Sequence, residues 1–169
     1  ADGIDLKAGY SFSNDLGQFA ANLTYTHVRQ YEFSGVPGMI NGLLDSGVYD
    51  ASGTTGDGNL VRSMPDNKGT LTLSWRNGNQ GVTLINRHIG SYRDLGYEGA
   101  LTTANDFSRA LLSREIDSYY TWDMQYNYNK AWDNTNLGST TFTVGLLDAF
   151  NKTLPYRELS SLNYDATVF

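Results

Sequence analysis

The feature that most constrains the fold of this chain is an alternation of apolar and polar side chains along several extended segments. In Gly3–Phe12 every second residue from Ile4 onward is apolar, and Phe19–Tyr25 repeats the pattern after the polar stretch Ser13–Gly17. A period of two is that of a β-strand, whereas a helix repeats about every 3.6 residues. The sequence therefore predicts an all-β chain that opens with a hairpin.

The same pattern predicts four further strands, and Asn77-Gly78 after the third strand is a strong tight-turn signal. The fourth strand alternates less cleanly than the others, which allows a bulge or partial burial. The last residues, 163–169, are expected to begin a seventh strand, but they are shorter than the about 9–11 residues that a membrane span needs. The four strands are predicted at about 69–76, 81–93, 119–129 and 140–150.

The connections between these strands alternate between short and long. Ser34–Asn67, Leu95–Asp117 and Lys152–Ser161 are predicted as long loops, and residues 107–112 are compatible with a short helical turn. Alternating lengths are typical of transmembrane β-barrels, in which short turns face the periplasm and long loops face outside. The pattern thus predicts an antiparallel up-and-down meander of about six to seven strands, part of a larger transmembrane barrel.

Composition excludes several other classes of protein. The chain has 169 residues, no cysteine, two histidines and a formal net charge of −6. These features exclude a disulfide framework and a thiolate metal site, make a multi-histidine metal site improbable, and argue against a nucleic-acid partner. No apolar run approaches the about 18 residues of a transmembrane helix, but barrel strands alternate and leave no such run.

Aromatic residues fall at both ends of the predicted strands, where they are expected to form two interfacial girdles. Half-buried strands of a soluble antiparallel sheet alternate too, so alternation alone does not separate the two classes. The short-turn group is Tyr10, Phe12, Phe19, Trp75, Tyr126, Tyr128 and Phe142, and the long-loop group is Tyr31, Phe33, Tyr92, Tyr119, Tyr120 and Trp122.

Three stretches carry a family resemblance: MPDNKGTLTLSWRNGNQGVTLINRHIGSYRD, SYYTWDMQYNYN and TTFTVGLLDAFNKTLPYRE. Together they resemble the C-terminal barrel strands of TonB-dependent outer-membrane receptors, and the opening GIDLKAGYSFSNDLGQFAANLTYTHVRQYEF fits the same pattern. The resemblance implies a barrel of about 22 strands around an N-terminal plug. It also implies uptake of a scarce ligand such as an iron chelate, cobalamin or a glycan.

Under this resemblance, residues 1–169 are a C-terminal segment of a barrel in the bacterial outer membrane, without plug, energy-coupling box or earlier strands and with an incomplete last strand. Six strands cannot close a barrel, since the smallest have about eight. The implied partners are outer-membrane lipid and lipopolysaccharide, the remaining strands and plug, the TonB energy-coupling protein, and a small-molecule ligand at the extracellular loops.

Candidate chemistry in the sequence is sparse. Asp45, Asp50 and Asp57 suggest a calcium loop, but their spacing does not match the twelve-residue calcium motif, and solvated loop charges are favoured. A hydrolytic triad with His88 and Asp94, or with His27 and a serine, lacks a G-x-S-x-G motif. We therefore assign no catalytic, cofactor or metal residue, and leave the ligand-binding residues unassigned. Arginines in or beside loops could meet an anionic chelate, though pairing with acids or lipopolysaccharide phosphates is favoured: Arg62, Arg93, Arg109, Arg114 and Arg157.

Two other functions stay open. A secreted soluble β-sandwich that binds carbohydrate would cluster its exposed aromatics on one platform, whereas these fall at both strand ends. An outer-membrane barrel enzyme, such as a lipase or protease, would need a triad or a carboxylate pair, which two histidines barely permit. The sequence favours the receptor barrel over both.

Overall fold

The computed structural model describes residues 1–34, 48–55, 64–94, 114–132 and 138–153, and these ranges contain strands and no helix. The all-β prediction is confirmed for this part of the chain. The strands are β1 Asp2–Asn14, β2 Gly17–Gln30, β3 Glu32–Ser34, β4 Val48–Asp50, β5 Thr54–Thr55, β6 Asn67–Asn77, β7 Gln80–Ile89, β8 Tyr92–Asp94, β9 Arg114–Ile116, β10 Tyr119–Ala131 and β11 Ser139–Leu146.

The six long strands form one sheet in the order β1-β2-β6-β7-β10-β11. Every neighbouring pair is antiparallel and follows in chain order once the short strands are set aside. This is the predicted meander, and each long strand contains most of a segment that the alternation had marked. The register shifts only at the start of β1, between Asp2 and Gly3.

Two tight turns join the first strand pairs. Asn14 pairs with Gly17, and the Asn14 side chain accepts the Leu16 N–H at 2.9 Å, closing the first turn. In the second, Asn77 pairs with Gln80, so the turn residues are Gly78 and Asn79, one position beyond the dipeptide that predicted it. Gly78 has φ +55°, and positive φ at the first turn position suits glycine in a hairpin.

The predicted loop Ser34–Asn67 is wrong in part, because its described residues include strands. β4 pairs with β3, and β5 pairs in parallel with β8. Arg114–Ile116, placed by the sequence in the second long loop, is strand β9 and pairs antiparallel with β8. The two long connections thus carry small sheets at one end of the large sheet, here called the long-connection end. The opposite end, where tight turns join Asn14 to Gly17 and Asn77 to Gln80, is the short-turn end.

Two predicted strands end early. β7 ends at Ile89, where the Gly90 N–H bonds the Asn67 carbonyl at 2.7 Å and a Cβ on Gly90 would lie 2.9 Å from Asn67 Cβ. β7 has no bulge, but Ile89 is buried, so the partial burial foreseen for this strand is confirmed. β11 ends at Leu146 and not at residue 150, because the chain turns at Asp148, whose φ is +44°.

Buried side chains of the described residues gather at the long-connection end. Ile89, Tyr92 and Ile116 pack as one cluster. Other predictions fall outside the described residues: the helical turn at 107–112, most of the loop Lys152–Ser161 and the seventh strand at 163–169. The remaining buried side chains are Ala51, Thr54, Pro65 and Tyr119.

Candidate functional surfaces

One face of the large sheet is predominantly apolar, although Asn86 and His88 of β7 lie on it, and we call it the apolar face. Because the side-chain period is two and the strands are in register, apolar positions align across all six strands. One row is Tyr10, Ala21, Leu73, Leu84, Met124 and Leu146, and the next is Phe12, Phe19, Trp75, Val82, Tyr126 and Val144.

Much of the apolar face is open. Tyr10 and Val144, near opposite edges of the sheet, are each 69% exposed, and Ile4 is 64% exposed. Soluble monomers rarely expose a contiguous apolar patch larger than a few hundred Å². Such a face is a candidate surface for contact with lipid or with another apolar partner.

At the short-turn end, the aromatic side chains of the apolar face touch one another. The rings of Phe12 and Phe19 stack with centroids 4.9 Å apart, and Tyr10 lies 5.8 Å from Phe12. Trp75 donates its indole N–H to the Leu16 carbonyl at 2.9 Å. This end therefore combines apolar rings with polar tips, the arrangement found at membrane interfaces.

The long-connection end departs from the predicted girdle. Tyr120 and Trp122 lie on the apolar face as expected, but Tyr92 and Tyr119 are only 4% and 6% exposed. The expectation for these two residues is wrong: Tyr92 packs in the small core, and Tyr119 lies on the opposite face and donates its hydroxyl to the Lys152 carbonyl at 2.8 Å.

Strand β10 has a cation beside an aromatic ring at each end of its apolar run. The Lys152 ammonium lies 5.1 Å from the ring centre of Tyr120, and the Lys130 ammonium lies 5.9 Å from the ring of Trp132. At about 3.3 Å per residue, the strand covers roughly 33 Å from Tyr120 to Lys130. The sequence analysis had missed both lysines as partners of these rings.

The opposite face, here called the polar face, carries hydroxyl, amide and charged side chains. Arg87 forms an ion pair with Asp123, whose other oxygen accepts the Asp148 N–H at 2.9 Å. The Ala149 N–H bonds the Trp122 carbonyl at 2.7 Å. Asp123 thereby ties strand β7 to the turn that ends β11.

Two carboxylates at the long-connection end have pKa values shifted in opposite directions by their surroundings. Backbone N–H groups of Tyr31 and Ser52, at 2.9 and 3.0 Å, lower the pKa of Asp50. Burial raises the pKa of Asp66, and its Oδ1 is buried without a hydrogen-bond partner in the described structure. Asp50 thus caps a turn, which fits a structural role better than a calcium site.

The candidate catalytic residues do not assemble. His27 Nδ1 lies 2.8 Å from Asn67 Oδ1, which also accepts the Tyr25 hydroxyl at 2.6 Å, so its polar partner is an amide and not a serine. His88 alternates onto the apolar face beside Tyr120. The described residues contain no group of three or more metal-ligating side chains.

Two of the five candidate loop arginines, Arg93 and Arg114, lie within the described residues. Arg93 is exposed on β8, and its backbone N–H donates to the Gly53 carbonyl at 2.8 Å. Arg114 begins β9. The candidates Asp45, Asp57, Arg62, Arg109 and Arg157 lie outside the described residues.

Comparisons with known proteins give no relative. No family model, no curated protein and no solved structure matches the chain. Among the described residues, no helix has the length and apolar character required to cross a membrane.

Proposed function

We propose that this chain forms part of the β-barrel of a TonB-dependent outer-membrane receptor, which binds a scarce ligand such as an iron chelate, cobalamin or a glycan and imports it. The apolar face of the six-stranded sheet carries this proposal. It is contiguous across every strand, and large side chains on it are open to the surroundings. Lipid acyl chains are the partner that removes such a surface from water without a second protein layer.

The ends of the sheet support the same proposal. Aromatic rings with polar tips lie at the short-turn end, and Lys130 and Lys152 bracket the apolar run of β10. At the strand tilt of about 40° found in outer-membrane barrels, the roughly 33 Å from Tyr120 to Lys130 would span roughly 25 Å, the height of their apolar band. Lysines at this level place their stems along apolar surface and their ammonium groups among headgroups or lipopolysaccharide phosphates.

The polar face supports a water-filled interior. Its threonine, asparagine, glutamine and charged side chains would be costly in an apolar core, whereas a wet lumen satisfies them. In the proposed receptor this face would line the lumen beside the plug. The small sheets at the long-connection end would then lie on the extracellular side, where the ligand is captured.

The proposal is tested by comparing circular dichroism and tryptophan emission of the chain in plain buffer and in detergent micelles. Trp75, Trp122 and Trp132 are the probes. We expect a β-sheet signal and blue-shifted emission only with detergent, because the apolar face then leaves water. A cooperatively folded monomer in plain buffer would contradict the membrane assignment and favour a soluble carbohydrate-binding sandwich.

A further inference from the structure

The polar face has a charge that differs in sign from that of the whole chain. On the six long strands it carries the cations Lys7, Lys68, Arg76 and Arg87, against the carboxylates Asp5 and Asp123. The chain as a whole has a formal net charge of −6. Cationic side chains are therefore concentrated on this face of the sheet, where they attract anions.

Two of these cations, Lys68 and Arg87, line one groove, and Lys7 lies at the far end of a row of residues that crosses it. Lys7, Thr24, Thr70 and Arg87 lie in a single row across β1, β2, β6 and β7. With neighbouring strands about 4.8 Å apart, the row spans roughly 14 Å, so the two long cationic side chains can reach over the threonines between them. Lys68 lies in the adjacent row of the same face.

The groove has the size of a small-molecule site. Its volume is about 320 Å³, near the lower end of the about 300–1,000 Å³ of ligand pockets. It lies near the long-connection end, toward the side on which a receptor would capture its ligand. On the polar face it is lined by Thr24, Thr26, Lys68, Thr70, Arg87 and Ile89.

The donors of the groove are available to a ligand. Arg87 uses Nη1 for Asp123 and is 47% exposed, and a guanidinium carries five N–H groups in all. Lys68 is exposed and forms no ion pair in the described ranges. Thr26 donates its hydroxyl to the Asp5 carboxylate at 2.6 Å, so one oxygen of that carboxylate is already hydrogen-bonded.

We propose that this groove binds an oxyanion, the carboxylate or phosphate group of a small ligand. Arg87 and Lys68 supply charge, and the hydroxyls of Thr24 and Thr70 supply further hydrogen bonds. That the oxyanion belongs to an imported ligand rests on the proposed receptor function, whereas oxyanion binding itself does not. Lipid headgroups are a poor match, because they would meet the opposite, apolar face.

The test is calorimetric titration of the full chain, in whichever medium folds it, plain buffer or detergent, with citrate, with inorganic phosphate and with neutral sucrose at low ionic strength. We expect saturable binding of citrate or phosphate and none of sucrose. Lys68→Gln is the test variant, since Lys68 is exposed and its ammonium forms no ion pair with any other described residue. Loss of a hydrogen bond to a charged group should weaken binding about tenfold.

Arg76→Gln is the matched control, because it removes one positive charge from the same face but outside the groove. Unchanged binding in Arg76→Gln beside weakened binding in Lys68→Gln supports the groove. Equal weakening in both variants would mean that anions are attracted by the overall positive charge of the face and not by the groove, which would overturn the proposal. Absence of saturable oxyanion binding by a folded chain would overturn it too. The detergent dependence of folding, measured on the same samples, reports separately on the receptor proposal.

Discussion

Arg87 on β7 and Asp123 on β10 form an ion pair between neighbouring strands on the polar face, where Asp123 lies two residues along β10 from Thr121, the register partner of Arg87. The second oxygen of Asp123 accepts the backbone N–H of Asp148, so one carboxylate on β10 links β7 to the turn that follows β11. Asp123 is the better covered partner, with 13% of its side chain exposed against 47% for Arg87. The link therefore depends more on the carboxylate than on the cation.

Asp123→Ala should lower the free energy of unfolding by about 2–3 kcal/mol, since hydrogen bonds to a charged group contribute about 1.5–3 kcal/mol. Urea unfolding in detergent micelles measures the loss. Asp123→Asn keeps an acceptor for the Asp148 N–H and should lose less. Equal stability of wild type and Asp123→Ala would show that the linkage contributes nothing.

The two faces of β6 give a matched pair of substitutions. Leu73 lies in the middle of the apolar face, and its neighbour Thr72 lies on the polar face. Leu73→Lys should cost about 2–4 kcal/mol in lipid or detergent, as for a cation near the midplane of a barrel wall, and Thr72→Lys should cost little. Urea titrations of both variants check this. Similar costs for the two would contradict the assignment of the faces.

Gly17 has φ +125°, and a Cβ there would clash with the Arg76 carbonyl oxygen. Gly17→Ala should therefore destabilise the hairpin by more than about 1 kcal/mol, through backbone strain and the clash together. Gly145→Ala is the control, because the nearest atom to its added Cβ lies 3.9 Å away. Thermal melts followed by circular dichroism should separate the two variants; a harmless Gly17→Ala would count against this turn geometry.

Asp66 and Asp50 should respond to pH in opposite ways. Burial raises the pKa of Asp66, so the folded chain holds its proton more tightly than the unfolded chain. Stability is then lost as pH rises from about 3.8 through the raised pKa, and it stays lower at neutral pH. Asp66→Asn should therefore stabilise the chain at pH 7, with the gain vanishing below the unfolded pKa.

The pKa of Asp50 is lowered by backbone N–H groups, so its contribution is present above the unfolded pKa and is lost as pH falls through the folded value. Asp50→Asn should destabilise the chain at pH 7 and matter less in acid. Urea midpoints measured across pH check both signs. A destabilised Asp66→Asn at pH 7 would contradict the effect of burial on this carboxyl.

Alternation by itself determined the long strands, their order along the chain and the face on which each side chain lies. Phe19 and Trp75 could be placed on one surface from their positions alone, because every second residue of a strand points the same way. Short turns predict the antiparallel pairs β1–β2 and β6–β7 from local sequence. The pairings of β2 with β6 and of β7 with β10 cross long connections, and they were expected only from the barrel pattern.

Tertiary structure decided which individual side chains are buried and where β7 and β11 end, because these features depend on residues that are distant along the chain. Tyr119 and Tyr120 look alike in sequence, yet the first is buried and bonded to the Lys152 carbonyl while the second is exposed beside the Lys152 ammonium. The early ends of β7 and β11 depend on contacts of Gly90 with Asn67 and of Asp148 with Asp123. These partners are distant along the chain, and only folding brings them together. The groove proposed to bind an oxyanion likewise depends on strand register, which places Lys68 and Arg87 beside Thr24 and Thr70.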